Sequence, residues 1–246
     1  MNYSEEEWQF GEAVAYVRLP HRRAEQPALL IHLTLTAEQG LQTDPFAIAP
    51  RAVLAAGHCV ASYDLPNHGR MVDHYGEGLT GMAAAFQAGR DVFAPARQTG
   101  AALIDAYTQR MSNPGPVLVS GVSRGGLIAF HLAASDPRVA AVAAFAPVTD
   151  LLALHEFSGL ADSAAVRNAG ALALVPRLRD RAVLLTINED DARVSTDACR
   201  AFFVALRQSP ELHQLRIDPG SGHSVPDDTY AAGAAWLLEN VHSNDR

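Results

Sequence analysis

The chain has 246 residues, of which 48 per cent are hydrophobic, and it carries a formal net charge of -8 at pH 7. This length suits a single α/β domain, and the apolar fraction is enough to fill one core. The negative charge argues against a nucleic-acid partner, whose phosphates would be repelled, and no run of lysine or arginine is long enough to override it.

The amino-terminal residues are acidic where a signal peptide would be basic, and no apolar stretch reaches transmembrane length. We therefore expect a cytoplasmic protein that does not enter a membrane. The two cysteines, Cys59 and Cys199, form neither a disulfide framework nor a metal-ligand spacing. Both are interpreted as buried thiols.

The first part of the chain predicts three strands and a helix. The alternating segment 11–19 predicts an outer strand of a sheet, and the more apolar segment 27–35 predicts a buried strand. Segment 45–57 predicts a helix in which Pro50 is tolerated only near the first turn. Segment 60–64 predicts the next strand.

Residues 76–81 match the dinucleotide-binding pattern GxGxxG. That pattern binds a dinucleotide only where it follows a strand directly and opens a helix. The nearest predicted strand ends about a dozen residues earlier, at Asp64. The glycines are therefore interpreted as a loop that borders the mouth of an active site.

A helix predicted over 92–112 leads to the most informative stretch of the sequence, residues 116–132. There a short apolar strand runs through Gly121-Val122-Ser123-Arg124-Gly125-Gly126 into an apolar segment with helical spacing. This is the GxSxG form of a nucleophile elbow, in which a serine is held on a strained turn. A Cβ two positions before or after Ser123 would collide with the backbone of so sharp a turn.

The second half of the chain continues the alternation of strands and helices. Strands separated by helices, with nearly continuous apolar runs, indicate a parallel sheet that is covered on both faces. The predicted strands are 139–146, 182–187 and 213–218, and the predicted helices are 195–208, capped by Ser195 or Thr196, and 226–241.

With its GxSRGG elbow, the sequence resembles the α/β-hydrolase fold family, and in particular the serine esterase and dienelactone-hydrolase-like branches. The resemblance covers nearly the whole chain. It implies a single α/β-hydrolase domain over residues 1–246, with a mostly parallel central sheet and helices on both faces. In that family a small cap follows the sixth strand, which would be residues 147–181 here; two ordinary packing helices are the alternative.

The resemblance also bears on the loop after the second predicted strand, where the family usually carries an HG motif that completes the oxyanion hole. His32 stands at the histidine position, but Leu33 replaces the glycine. Counting from His32, the backbone N–H of Thr34 is the candidate second donor, with its hydroxyl as a substitute. The first donor would be the backbone N–H of Arg124, at the positive end of the elbow helix.

The segment YDLPNHGR, which ends at Arg70, is close to the family's DxPGHG stretch. That stretch is mainly structural in the family. Asp64 and His68 are therefore interpreted as turn-forming residues, with a place for His68 in the pocket as the alternative.

A serine hydroxyl needs a base to act as a nucleophile at neutral pH, and histidine is the usual one. His223 follows the last predicted strand, at the sheet edge from which the elbow projects. Its GSGH setting also matches the family's histidine loop. A surface histidine without a role is the alternative.

The third member of such a triad is a carboxylate that orients the imidazole. Several acidic residues follow the strand that ends at Ile187, and the family's DxxV pattern favours Asp191. Asp190 and then Asp150 are the alternatives. The chain order Ser123, Asp191, His223 is that of the α/β hydrolases.

For the Arg124 side chain, the sequence leaves two roles open, an ion pair with a neighbouring carboxylate or the binding of an anionic substrate group. No cofactor or metal is required, because His155-Glu156 lacks the second histidine of HExxH and the other histidines are scattered.

The leading functional prediction is a serine hydrolase that cleaves a carboxylic ester or thioester, a small molecule, through an acyl-enzyme intermediate. One alternative is a peptidase of the prolyl-oligopeptidase-like branch, although the amino-terminal region is short for the propeller domain of those enzymes. The other is a hydrolase-fold binding protein without activity, which the irregular His32-Leu33-Thr34 loop favours.

Overall fold

The computed structural model describes residues 2–241, and in them a central sheet is flanked by helices. The sheet order is β1-β2-β4-β3-β5-β6-β7-β8, in which the strands from β4 to β8 are parallel to one another and β1 and β2 are antiparallel. The strands are β1 (Tyr3–Phe10), β2 (Ala13–Pro20), β3 (Leu29–Leu33), β4 (Cys59–Tyr63), β5 (Val117–Val122), β6 (Val139–Phe145), β7 (Ala182–Asp190) and β8 (His213–Ser221). This is the predicted mostly parallel α/β architecture.

The helices connect successive strands and lie on the two faces of the sheet. They are α1 (Ala37–Gln42), α2 (Ile48–Ala55), α3 (Gly78–Gln87), α4 (Ala94–Arg110), α5 (Arg124–Ser135), α6 (Ala164–Ala169), α7 (Val175–Leu178), α8 (Thr196–Leu206) and α9 (Asp227–Val241). Short 3₁₀ turns cover Gly69–Met71, Leu151–Ala153, His155–Leu160 and Ala171–Leu174.

Alternate side chains of the central strands serve two separate cores. In β3, Leu29 and Ile31 belong to the core that α3, α4, α5 and α8 cover. Leu30, between them, belongs to the core that α2 and α9 cover. All three side chains are fully buried, and burying such a side chain stabilises the fold by about 1.5–3 kcal/mol. The two cores hold the central strands rigidly, so the loops at their carboxyl ends start from fixed positions.

The prediction that segment 11–19 is an outer strand is wrong in one respect. β2 forms there, but it pairs with β4 on one side and with β1 on the other. β1 is the edge strand, and its acidic SEEE run is largely exposed, which is why no alternation of apolar residues marks it. The sequence pattern also gave no sign of α1 or α3.

Segment 147–181 leaves the end of β6 and returns to the start of β7 through α6, α7 and short 3₁₀ turns. Its largest buried side chain, Phe157, packs edge-on against Phe86 of α3, with ring centroids 5.9 Å apart. The segment is therefore anchored to α3 by an apolar contact.

None of the helices in residues 2–241 is both long enough and apolar enough to cross a membrane.

Candidate active site

Ser123 lies at the sharp turn between β5 and α5, in a backbone conformation that is rare for residues other than glycine. Its φ is 54° and its ψ is -118°, and such strained conformations typically cost about 1–3 kcal/mol. The Ser123 N–H donates to the Phe145 carbonyl at 2.9 Å. The Ser123 carbonyl accepts the N–H groups of Gly126 at 3.1 Å and Val148 at 3.0 Å. These three bonds fix the turn, so the strand, turn and helix of a nucleophile elbow are all present.

Two glycines make this turn sterically feasible. A Cβ on Gly121 would come within 3.0 Å of the carbonyl of Gly125. A Cβ on Gly125 would come within 3.0 Å of the carbonyl of Leu33, at the end of β3. Real Cβ atoms essentially never approach backbone atoms so closely. The predicted steric need for glycine at both positions is confirmed, and the end of β3 lies directly against the elbow.

The structure pairs His223 with Asp191. His223 Nδ1 lies 2.8 Å from Asp191 Oδ2, with the carboxylate fully buried and the imidazole 32 per cent exposed. The other carboxylate oxygen, Oδ1, accepts the backbone N–H groups of Arg193 at 2.9 Å and Val194 at 3.2 Å. When Nδ1 carries a proton and donates it to Asp191, the other ring nitrogen, Nε2, is the proton acceptor that catalysis needs.

Two polar residues without a predicted role in the site, Asn188 and Thr196, hold this pair in place. The Asn188 side-chain amide donates to the carbonyls of Gly222 at 2.9 Å and Ser224 at 2.8 Å, on both sides of His223. The Thr196 hydroxyl accepts the Asp191 N–H at 3.0 Å and donates to the Asn188 carbonyl at 2.8 Å. Asn188 directly follows the apolar run of β7 and Thr196 begins α8, and burial obliges both side chains to find partners.

The other acidic candidates are engaged elsewhere or exposed. Asp150 caps the 3₁₀ turn Leu151–Ala153 by accepting the Leu152 N–H at 2.9 Å. Asp190 is exposed at the end of β7. Of the three aspartates considered, Asp191 is the one that contacts His223.

Ser123, Asp191 and His223 follow β5, β7 and β8, which run parallel in one half of the sheet. The carboxyl ends of parallel strands meet at one edge, where ligands bind in open α/β sheets. The Gly222 N–H donates to the Asp190 carbonyl at 2.8 Å, which joins the acid and histidine loops. The fold therefore brings the three predicted side chains to the same edge.

The two predicted oxyanion donors also belong to this edge. Arg124 is the first residue of α5, so its N–H lies at the positive end of a twelve-residue helix. The Thr34 nitrogen follows β3 and lies 3.2 Å from the position of a Cβ on Gly125. The Thr34 hydroxyl donates to the Thr36 carbonyl at 3.1 Å, which leaves the backbone N–H as the better donor candidate.

The predicted ion pair of Arg124 is absent from the described residues. The side chain is 2 per cent exposed, and its Nη1 lies 3.9 Å from the sulfur of Met82. Its Nε and Nη2 are buried without a hydrogen-bond partner. Burial lowers the pKa of this guanidinium to about 10, so it is charged at neutral pH. The ion pair does not form with Asp64, which also lies near His68, because both oxygens of that carboxylate bind backbone N–H groups.

The segment after β4 folds as the resemblance implied. The Asp64 carboxylate accepts the N–H groups of Ala37 at 2.9 Å and Arg70 at 2.8 Å, which makes it a turn-forming residue. Burial lowers the pKa of His68 to about 4, and the charge of Arg124 contributes to that shift. His68 therefore lies near Arg124 and is neutral at pH 7.

His32, at the position of the family's HG histidine, is a core residue of β3. Its Nδ1 lies 2.7 Å from the Ser120 hydroxyl, and full burial lowers its pKa to about 3. A neutral, buried imidazole inside a strand positions the loop that follows it and does not exchange protons with solvent.

The remaining candidates of the sequence are structural. Cys59 and Cys199 are buried, and burial raises the pKa of their thiols to about 11 and about 12, so they are inert, as predicted. No group of three or more metal-ligating side chains occurs within residues 2–241. The predicted loop over 76–81 is wrong in part, because Gly76 lies before α3 whereas Gly78 and Gly81 belong to that helix. The preceding strand, β4, ends at Tyr63, so these glycines do not form a dinucleotide site.

This fold, with an elbow serine at the carboxyl edge of a mostly parallel sheet, defines an α/β hydrolase. The family model of the prolyl oligopeptidase family matches residues 83–242. The chain belongs to that family and is a serine hydrolase. No curated protein sequence gives a significant match.

Solved structures share the architecture at low sequence identity. TT1662 from Thermus thermophilus is 18 per cent identical, with a TM-score of 0.76 over 99 per cent of this chain and 100 per cent of its own. A cold-adapted esterase from an Arctic intertidal metagenomic library is 17 per cent identical, with a TM-score of 0.69 over 98 and 95 per cent. A prolyl endopeptidase is 19 per cent identical, with a TM-score of 0.64 over 97 and 38 per cent. At these identities the likeness establishes the fold.

Proposed function

We propose that the protein cleaves a carboxylic ester or thioester through an acyl-enzyme intermediate, with Ser123 as nucleophile, His223 as general base and acid, and Asp191 as the carboxylate that orients it. The observation that supports this most is the 2.8 Å contact between His223 Nδ1 and the buried Asp191 carboxylate. It lies at the same sheet edge as the strained elbow of Ser123.

In the proposed reaction, the Ser123 hydroxyl attacks the substrate carbonyl while His223 Nε2 takes its proton. The resulting imidazolium is stabilised by Asp191, and the oxyanion by the backbone N–H groups of Arg124 and Thr34. One such donor is typically worth about 3–4 kcal/mol in the transition state. His223 returns the proton to the leaving alcohol or thiol. Water, deprotonated by the same imidazole, then releases the acid and restores Ser123.

Hydrolysis of a peptide bond is the second candidate. The family match favours it, since the family is named for an oligopeptidase. The likeness to the cold-adapted esterase spans 95 per cent of that chain, whereas the likeness to the prolyl endopeptidase spans 38 per cent of that one. We therefore place the ester first.

We further propose that segment 147–181 forms a small cap over the acyl side of the site. Its first residues adjoin the nucleophile, because the Val148 N–H donates to the Ser123 carbonyl. The Glu156 carboxylate accepts two hydrogen bonds from Arg193, at 3.0 and 2.6 Å, in the loop that carries Asp191. The segment is thus tied to two of the loops that carry the proposed triad.

Labelling with a fluorophosphonate, followed by mass mapping, tests the assignment. We expect a single adduct on Ser123, loss of labelling in Ser123→Ala, and retention in Ser135→Ala, at the far end of the same helix. A panel of short acyl esters, acyl thioesters and aminoacyl amides then separates the two candidates. An unlabelled Ser123 in folded protein would refute the nucleophile, and turnover confined to the amides would favour the peptidase.

A further inference from the structure

Of the two arginines that are buried as whole residues within residues 2–241, Arg124 is the one without an oxygen partner: its Nε and Nη2 are unsatisfied and its Nη1 faces a thioether sulfur. Arg18, the other of the two, pairs with Glu5 at 2.6 Å. Leaving a charge buried and unpaired is strongly destabilising. A side chain held in this way beside the nucleophile calls for a functional explanation.

The two unsatisfied nitrogens share one edge of the guanidinium. Nε–H and Nη2–H point in parallel from that edge, and the pair matches the two oxygens of a carboxylate. A carboxylate carries one negative charge, which neutralises one guanidinium. A phosphate monoester would leave part of its charge uncompensated in a buried site.

The acidic side chains around His68, which itself lies near Arg124, are engaged or face solvent. Asp64 uses both carboxylate oxygens to bind backbone N–H groups. Glu77 lies 4.0 Å from His68 and its side chain is 74 per cent exposed. His68 itself is neutral at pH 7, so it does not supply a negative charge. The protein's own residues therefore leave the Arg124 edge free.

Resting on the proposed ester hydrolysis, we infer that Arg124 is a specificity-determining residue, whose Nε and Nη2 bind a carboxylate carried by the substrate. The substrate is thus an anionic ester, either a half-ester of a dicarboxylic acid or an ester of a hydroxy acid. Around Met82 the surroundings are apolar, and a low local dielectric strengthens the resulting ion pair. Because Nε and Nη2 are buried, the substrate carboxylate reaches them only after a local rearrangement of the side chains that cover them.

Matched esters test this inference with the full chain. Monoethyl succinate, glutarate and adipate are compared with neutral ethyl esters in which an isopropyl group replaces the free carboxylate. In a second series, 3-acetoxypropanoate is compared with 3-methylbutyl acetate, which moves the charge to the alcohol side. We expect the wild type to prefer the charged member of at least one pair by about tenfold or more in kcat/KM. The series that shows the preference identifies the side of the ester that faces Arg124.

Two substitutions separate recognition from structure. In Arg124→Met we expect the ratio of charged to neutral kcat/KM to fall at least about tenfold, and the melting temperature to rise, because an unpaired buried charge is removed. In Arg18→Met, the matched control, we expect an unchanged ratio and a lower melting temperature. A purely structural Arg124 would show the opposite, a lower melting temperature with an unchanged ratio. Arg124→Lys keeps the positive charge but loses the pair of parallel N–H donors, so it should give an intermediate ratio of charged to neutral kcat/KM.

The ratios of charged to neutral kcat/KM in the wild type test the inference even if Arg124→Met fails to fold. Neutral esters that are hydrolysed as well as their charged partners in both series would overturn the inference. If Ser123 is still labelled by the fluorophosphonate, the proposed hydrolase survives and only the carboxylate specificity fails. If Ser123 is not labelled, the proposed function fails as well.

Discussion

The side-chain amide of Asn188 lies 2.9 Å from the carbonyl oxygen of Gly222 and fastens the end of β7 to the loop that carries His223. A second bond, 2.8 Å long, reaches the carbonyl of Ser224. Asn188 thus binds the backbone of the residues immediately before and after His223, while Asp191 contacts the imidazole itself at Nδ1. Asn188 is 3 per cent exposed, so its side chain is held in one place by the surrounding protein.

Asn188→Ala should therefore damage both stability and catalysis. Losing an intramolecular hydrogen bond costs about 0.5–1.5 kcal/mol, and a misplaced catalytic group costs up to about 100-fold in rate. We expect kcat to fall more than KM rises, in ester assays, with a lower free energy of unfolding in urea. Asn240→Ala removes a similar amide bond, to the Trp236 carbonyl in α9, and should leave kcat unchanged. Equal effects of the two substitutions on kcat would contradict the positioning role.

Asp191→Asn tests the carboxylate itself. The amide keeps the size of the side chain but no longer offers Nδ1 of His223 a carboxylate. The productive tautomer of the imidazole is then not fixed, and the imidazolium that forms during the reaction has no negative charge to stabilise it. In a comparable triad this change lowers kcat by about 10⁴-fold, and we expect a loss of similar order. Asp190→Asn, one residue earlier and exposed, is the matched control and should retain activity. A large loss in Asp190→Asn with a small one in Asp191→Asn would reverse the assignment.

Gly125→Ala tests the packing of the elbow. The new methyl group would overlap the Leu33 carbonyl at the end of β3, and overpacking of this kind costs about 1–3 kcal/mol or more. We expect a lower melting temperature and a loss of fluorophosphonate labelling at Ser123. At Gly159 a Cβ meets nothing within 4 Å, so Gly159→Ala should shift stability by less than about 0.5 kcal/mol. Gly125→Ala protein with normal stability and labelling would show that the elbow is not tightly packed.

Those parts of the fold that depend on burial could be predicted from the sequence. The strands β3 to β7 are apolar runs because both of their faces are covered, and such runs are visible without a structure. β1 was missed because its acidic run lies at an exposed edge. α3 was missed because Gly78 and Gly81 hide its helical period, although Met82 and Phe86 are buried.

The three proposed triad residues could be predicted from the sequence, but the residues that position them could not. Ser123 and His223 carry local motifs, and Asp191 follows a strand in a recognisable pattern. Asn188 has no motif, because its role depends on two carbonyls more than thirty residues away. The isolation of Arg124 was not readable either, since the absence of a partner depends on how every neighbouring acid is used.

Buried neutral histidines should make the protein lose stability as the pH falls from 7 to 5. Burial lowers the pKa of His32 to about 3 and that of His131 to about 4, from 6.5 in the unfolded chain. In this pH range the unfolded chain therefore binds protons that the folded protein does not, and acidification favours unfolding. Each histidine contributes about 2 kcal/mol of loss between pH 7 and pH 5. Urea denaturation at pH 7, 6 and 5 should show the decline, above the range in which carboxyl groups titrate.

His131→Gln separates this effect from general acid sensitivity. Glutamine does not titrate and keeps an amide donor toward the Ala169 carbonyl, which His131 Nε2 contacts at 2.8 Å. We expect the loss between pH 7 and pH 5 to shrink by about 2 kcal/mol, whatever the stability at pH 7. Ile104→Val, in the buried part of α4, lowers stability without a titrating group, so its curve should run parallel to that of the wild type. A His131→Gln curve that is also parallel would mean that the folded protein protonates this imidazole as readily as the unfolded chain does.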